Sequence, residues 1–165
     1  MIELKKITLT SGNMKECIAL DVTPEKLEKE YIYSNAIILA LAYDYNSQGN
    51  KMECYAVYAE GKMVGLVSYN YYVNDPVFTE VCYRLRPVMI DINHQGKGYE
   101  QAALKKLLDI VKAKPDGPAT AIFASYHPSE QDMAKLYESA KFIKTDKTFG
   151  AENPDNPSII TKIAI

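Results

Sequence analysis

The chain has 165 residues, 47% of them hydrophobic, enough for one domain that needs neither metal nor disulfide to fold. Nineteen basic against 21 acidic side chains leave a net charge of -2, which argues against a general nucleic-acid binder. Cys17, Cys54 and Cys82 are too few and too dispersed for a disulfide framework or a zinc site. The richest apolar run, Ala36 to Ala42, is too short to span a membrane, and Met1 to Lys6 holds no signal-peptide core. The expectation is a cytoplasmic protein with reduced thiols and no membrane or nucleic-acid partner.

In chain order, Ile2 to Leu9 reads as a first strand, with Ile2, Leu4, Ile7 and Leu9 as candidates to face inward. Asn13 to Leu20 reads as a short helical turn. Thr23-Pro24-Glu25 is a helix start, with Thr as cap, Pro at the first helical position and an acid in the first turn; that helix is expected to reach Tyr33. Ser34-Asn35 breaks it, and Ala36 to Tyr43 forms another apolar helix. Three strands come next as a meander: Cys54 to Ala59, Met63 to Tyr72 across a Glu60-Gly61-Lys62 turn, and a long strand from Val77 to Asp91. Pro87 cannot donate to a ladder, so it implies a bulge, an edge or a splay. After Gly98 a helix is predicted, with Leu104, Leu107, Leu108 and Val111 on one face. Pro115-Asp116-Gly117-Pro118 closes it, Ala119 to Tyr126 is a buried strand, and His127-Pro128-Ser129 opens a helix to Ala140 with Ser129 as candidate cap. Phe142 to Thr148 and Ser158 to Ile165 read as the last strands, joined by a loop from Gly150 to Pro157. Thirteen tyrosines without a tryptophan suit either an amphipathic pocket or covered strand faces.

The stretch with the most chemistry is Val88 to Val111. Between its apolar strand end and its helix lie Gly96 and Gly98, where the backbone can curl and a ligand can come close. The free N–H groups at the helix start then make an anion site suited to phosphate or pyrophosphate, with Lys97 adding positive charge. A Walker spacing is absent, and so is the third glycine of the dinucleotide fingerprint. A strand-to-helix turn that needs glycine for shape alone is an equal reading of the loop by itself.

On Met89-Ile90-Asp91, Gln95-Gly96-Lys97-Gly98-Tyr99, Leu136-Tyr137 and Phe142, the chain resembles the GCN5-related N-acetyltransferase (GNAT) superfamily, over nearly its whole length by element order. Gln95 and Gly98 match the first two fixed positions of the family's Gln/Arg-x-x-Gly-x-Gly/Ala motif. Tyr83-Arg84-Leu85 through Ala103-Leu104, with Thr23-Pro24-Glu25, is more like the spermine/spermidine and diamine acetyltransferase group. The resemblance implies a single α/β domain over 1–165. Its sheet would be mixed and mostly antiparallel, of about seven strands, splayed between strands 4 and 5 and flanked by helices. It implies acetyl-CoA as cosubstrate, with pantetheine on Val88, Met89 and Ile90 and pyrophosphate over Gln95, Gly96, Lys97, Gly98, Tyr99 and Glu100. The chain departs from the family at four motif positions: Glu100 replaces a glycine or alanine, Glu130 an asparagine, Met133 a small residue, and Lys141 a closing glycine.

Acetyl transfer needs a neutral amine, a donor for the oxyanion, and help for the leaving thiol. The resemblance offers Tyr137 as the acid at the sulfur. Glu53 and Glu80 are candidate bases, although each alone reads equally as surface charge. His94 and His127 are scattered and suggest no metal. Direct transfer needs no cysteine nucleophile, so Cys54 and Cys82 are poor candidates. The expected activity is acetylation of a primary amine on a small molecule, such as a diamine or a polyamine like spermidine, which Asp75 and Glu80 would attract. A homodimer through the final strands is expected by analogy. The rivals are a non-catalytic acyl-CoA-binding or sensor protein with a degenerate site, which these departures would fit, and a nucleotide phosphate binder.

Overall fold

The order of elements tracks the alternation of apolar periods. It runs β1 (Ile2–Lys6), α1 (Asn13–Ile18), α2 (Asn35–Ser47), β2 (Lys51–Ala59), β3 (Lys62–Tyr72), β4 (Cys82–Leu85), β5 (Met89–Ile90), a 3-10 turn (Ile92–His94), α3 (Tyr99–Lys112), β6 (Ala121–Tyr126), α4 (Gln131–Ser139), β7 (Ile143–Phe149) and β8 (Ser158–Ala164). This computed structural model describes residues 1–21, 34–75, 77–149 and 157–165. The expected helix after Thr23-Pro24-Glu25, and most of the loop from Gly150, lie outside the described residues. The strands form a mixed sheet in the order β1-β2-β3-β4-β6-β8-β7, with β5 beside β3. The β4–β6 pair is parallel, and the neighbouring β3–β4 and β6–β8 pairs are antiparallel. The mixed, mostly antiparallel α/β class is therefore the expected one.

The sheet holds eight strands because the predicted long strand from Val77 to Asp91 is broken. Its first residues never pair: one carboxylate oxygen of Asp75 accepts the N–H groups of Val77 and Phe78 at 2.8 and 3.0 Å, a local turn that removes the donors a ladder needs. Its middle is interrupted at Pro87, which has no N–H to give.

The chain forms two compact units, Met1–Ser68 with Val88–Asp109, and Tyr69–Pro87 with Ile110–Ile165. In the first, β1 pairs antiparallel with β2, Ile2 opposite Ala59 and Lys6 opposite Tyr55. The strand stops at Lys6, and Leu9 is 82% exposed instead of facing inward, because Thr8 and Ser11 close a hydrogen-bonded turn. Helix α2 is longer than the predicted Ala36 to Tyr43. Ser34 caps it by accepting the Ile37 N–H, and no glycine or proline interrupts the chain before Gly49. Cys17, Ile38, Met52, Cys54, Leu66 and Met89 are buried together in this unit's core. In the second unit β6 pairs with β8 over its whole length, and Phe78, Cys82, Phe123 and Ile160 form the core.

Helix α3 buries Leu104, Leu107, Leu108 and Val111, the face its sequence period predicts. Helix α4 starts later than predicted. Ser129 is not its cap; Glu130 holds the cap position but turns its carboxylate back to the His127 N–H at 2.8 Å. The helix ends in a left-handed residue, Lys141, at φ 71°. Around it Phe142 N–H reaches the Tyr137 carbonyl at 3.0 Å and Lys141 N–H the Glu138 carbonyl at 2.9 Å, the double bond of a glycine-type helix stop.

Candidate active site

In the first unit the candidate site grows out of β5. Met89 lies opposite Leu66 and Ile90 opposite Gly65, while the next residue, Asp91, donates its N–H to the Val64 carbonyl at 2.9 Å. Antiparallel pairing alternates, so the N–H and carbonyl of Ile90 turn away from β3. The Gln95 side chain takes that carbonyl at 2.9 Å. Val88, Met89 and Ile90 bury their side chains and leave backbone as the working surface. Gly65 makes this possible: a Cβ there would stand 2.2 Å from the Met89 carbonyl oxygen.

Asp91 organises the turn beyond β5. One of its oxygens accepts the Asn93 N–H at 2.9 Å and the Asn93 amide at 3.1 Å; the other accepts the Asp21 N–H at 2.8 Å. Burial alone would raise this carboxyl, but the bonds from Asp21 and Asn93, with the charge of His94, hold it below its ordinary value. It starts the turn that leads to the glycines.

Gly96 and Gly98 both sit at φ 73°, left-handed backbone with open space where a Cβ would project. The Ala102 N–H is the first in α3 to bond back, to the Gly98 carbonyl at 3.3 Å. The N–H groups from Gly98 to Gln101 precede any helical partner and converge at the positive end of the helix dipole. Lys97 is exposed and reaches the Asn93 carbonyl at 3.3 Å. Tyr99 and Glu100 are half-buried in the first turn. The carboxylate of Glu100 favours the helix start and competes with any anion seated there.

In the second unit α4 carries Tyr137, 1% exposed, beside the buried Tyr126 of β6; their rings lie 6.2 Å apart, and the Phe142 ring packs 5.5 Å from that of Tyr137. Neither tyrosine hydroxyl has a hydrogen-bond partner. Burial, then the charge of Glu130, pushes the Tyr137 phenol well above its ordinary value, against a smaller opposing effect of Arg84. Tyr137 therefore holds its proton at neutral pH. Strand β6 pairs β4 only from Ala121 to Phe123, so its later residues, up to Tyr126, have no β4 partner.

The two candidate bases lie in different units. Glu53 on β2 is ion-paired with Lys6 at 2.6 Å. Glu80 lies ahead of β4 rather than within a strand, and accepts Lys162 at 2.6 Å and the Thr120 hydroxyl at 2.5 Å. The Lys162 bond, then the Thr120 bond, lowers its pKa. Cys82 is buried and its thiol is pushed up to about 12 by that burial, which removes it as a nucleophile. His127 is bonded to Ser129 at 2.7 Å. Among the described residues no three metal-ligating side chains cluster, and no helix is long and apolar enough to cross a membrane. Sequence reasoning missed Gly65, Asp91 as an organiser, and Tyr126. The Asp-x-Asn spacing after an apolar strand end was the one local signal for any of them.

The backbone features fit acetyl-CoA. A free strand N–H suits an amide-bearing arm, and an open double-glycine curl at a helix start suits a pyrophosphate. The family model described as acetyltransferase (GNAT) family matches residues 19–142. Among solved structures the chain is similar to a spermidine N-acetyltransferase from Vibrio cholerae in complex with CoA and spermine, at 17% identity over 99% of this chain and 95% of that one, TM-score 0.71. It is also similar to a ribosomal-protein-alanine N-acetyltransferase from Brucella melitensis, at 14% identity over 99% of both chains, TM-score 0.70. A GNAT-family acetyltransferase from Bacillus cereus matches at 17% identity over 99% of this chain and 97% of that one, TM-score 0.65. These likenesses establish the fold. No curated protein sequence matches the chain.

Proposed function

The chain belongs to the acetyltransferase (GNAT) family, and from that premise we propose that it acetylates the primary amine of a small molecule. It is an acetyl-CoA-dependent N-acetyltransferase. The observation that carries the reading is the pairing of an outward-turned Ile90 N–H with the open curl at Gly96 and Gly98.

Val88, Met89 and Ile90 would hold the pantetheine arm through backbone groups, and Gln95 to Glu100 the pyrophosphate. Bound acetyl-CoA supplies a thioester carbon for attack and a thiol that leaves. A backbone N–H of the splayed strand donates to the carbonyl oxygen as negative charge gathers there. Glu130 shapes the α4 start through its bond to His127, and raises the Tyr137 phenol. Tyr137 donates toward the departing sulfur. A thiol pKa of about 8.5 lies below that of a buried phenol, so the hydroxyl stabilises the thiolate mainly by hydrogen bonding and need not lose its proton. Glu53 is the better of the two bases for the amine proton, because Lys6 takes one of its oxygens while Lys162 and Thr120 take both oxygens of Glu80.

A diamine or polyamine acceptor draws support from the spermidine N-acetyltransferase likeness. Against it, the carboxylates expected to attract such a cation, Asp75 and Glu80, already serve backbone N–H groups and Lys162. The reading extends to residues 1–165 acting as one catalytic domain, which β3 running through both units supports. It also extends to a homodimer paired through the last strands, supported by β7 at the end of the strand order. The buried free thiols of Cys17, Cys54 and Cys82 suit a cytoplasmic setting.

Thiol release from acetyl-CoA, measured with a panel of diamines, polyamines, amino acids and aminoglycosides, tests the proposal. An amine-dependent rate supports it. Acetyl-CoA binding with no acceptor-dependent release across the panel would favour the non-catalytic sensor.

A further inference from the structure

We propose that Asn70, Arg84 and Arg86 form a subsite for a carboxylate of the acceptor, so that the amine acetylated belongs to an amino-acid-like molecule; this rests on the acetyltransferase reading above. Asn70 on β3 and Arg84 on β4 are directly opposed in the antiparallel register, which sets both side chains on one face of the sheet. Asn70 is fully buried and Arg84 is 7% exposed. The half-buried Arg86 comes two residues later and donates its Nε to the Asn70 Oδ1 at 2.9 Å.

That bond fixes the amide. A guanidinium only donates, so the oxygen of Asn70 must face Arg86, and the amide nitrogen faces the other way. The Asn70 Nδ2 is buried with no hydrogen-bond partner. A buried donor left without an acceptor is costly, and the residue directly opposite, Arg84, ends in a guanidinium that only donates.

The neighbours of Arg84 orient it. Its Nη2 reaches the Ser125 hydroxyl at 3.4 Å, its guanidinium carbon lies 5.6 Å from the Phe78 ring centre, and Tyr72 also hydrogen-bonds it. Asp75 is the carboxylate whose charge bears on it, and one Asp75 oxygen is committed to the Val77 and Phe78 N–H groups. An amide donor and two guanidinium groups make a site that accepts acceptors. Planar guanidinium forks match a carboxylate in two parallel bonds, and they repel an ammonium. The charge of Arg84 also acts on the Tyr137 phenol.

Matched acceptor pairs that differ only in one carboxylate test this directly: lysine against cadaverine, and ornithine against putrescine. Thiol release is measured at saturating acetyl-CoA, and binding of each acceptor is measured by calorimetry in the presence of CoA. The expected result is a preference of tenfold or more for the carboxylate-bearing member, expressed in KM and in acceptor affinity. Arg86→Gln should bring each pair together, and Arg86→Lys should restore part of the gap; melting temperatures confirm that both variants fold. Equal or better use of the diamines, a preference that survives Arg86→Gln, or binding of neither member would overturn the proposal. Where turnover is too slow to read, the calorimetric preference decides in the same way. An acetyl-CoA titration of the same preparation reports on donor binding separately, so loss of the acetyltransferase reading shows there and not in the acceptor ratio.

Discussion

The glycine curl of the first unit and the polar cluster of the second prepare for charged groups by opposite means. The curl uses backbone: exposed residues, left-handed glycines and unspent N–H groups at the start of α3. The second unit uses side chains: Asn70, Tyr126 and Tyr137 are buried with a polar atom left without a partner, and Arg84 is buried opposite Asn70. A backbone site tolerates changed side chains, since Glu100 still presents its N–H where the family has glycine or alanine. A side-chain site does not, because each group is set by the registers and packing around it.

Variants can break that contrast or sharpen it. The largest effect is expected at Tyr137. Tyr137→Phe should lower kcat about 100-fold, the low end for a positioned acid because a thiol is already a fair leaving group, with little change in KM. The same change removes a buried hydroxyl that has no partner, so stability in urea should hold or rise by about 1 kcal/mol. Unchanged turnover would reduce Tyr137 to a packing residue. Gly65→Ala strikes the other region through its backbone. The added Cβ meets the Met89 carbonyl at 2.2 Å, so a loss of roughly 1–3 kcal/mol in denaturant unfolding is expected, with weaker acetyl-CoA binding. Stability equal to wild type would show that β5 does not depend on that close approach.

Lys141→Gly should stabilise by about 1 kcal/mol, because lysine there pays for left-handed backbone that glycine adopts freely. Calorimetric melting reads it, and turnover should not move. The smallest effect belongs to Glu80. Its folded pKa is lowered, so its pair with Lys162 contributes above the unfolded carboxyl value of about 4.3, and that contribution is lost as pH falls through the folded value. Glu80→Gln should therefore cost about 0.5 kcal/mol at neutral pH and nothing at the acid end. A gap that persists below the folded pKa would contradict the linkage.

The contrast also explains what could be read from the sequence. Leu104, Leu107, Leu108 and Val111 carry their burial in a local period, and the glycine curl carries its function in adjacent residues, so both were legible. The broken fourth strand was not, because it turns on one Asp75 oxygen capturing two N–H groups. Ser129 looked like the cap of α4, but the chain enters that helix one residue later, with Glu130 tied to His127. The opposition of Asn70 and Arg84 depends on the register of two strands joined by an irregular segment, and no local pattern encodes it. The element order and family motif gave the activity class; the acceptor lies with residues that only the folded sheet brings together.

The most direct test of the account is a calorimetric titration of the unmodified protein with acetyl-CoA, with ATP as comparison. The account predicts micromolar binding, on the order of -8 kcal/mol, for acetyl-CoA and none for ATP. Absence of acetyl-CoA binding, or tighter binding of ATP, would contradict the assignment of the Val88 to Glu100 backbone as its seat.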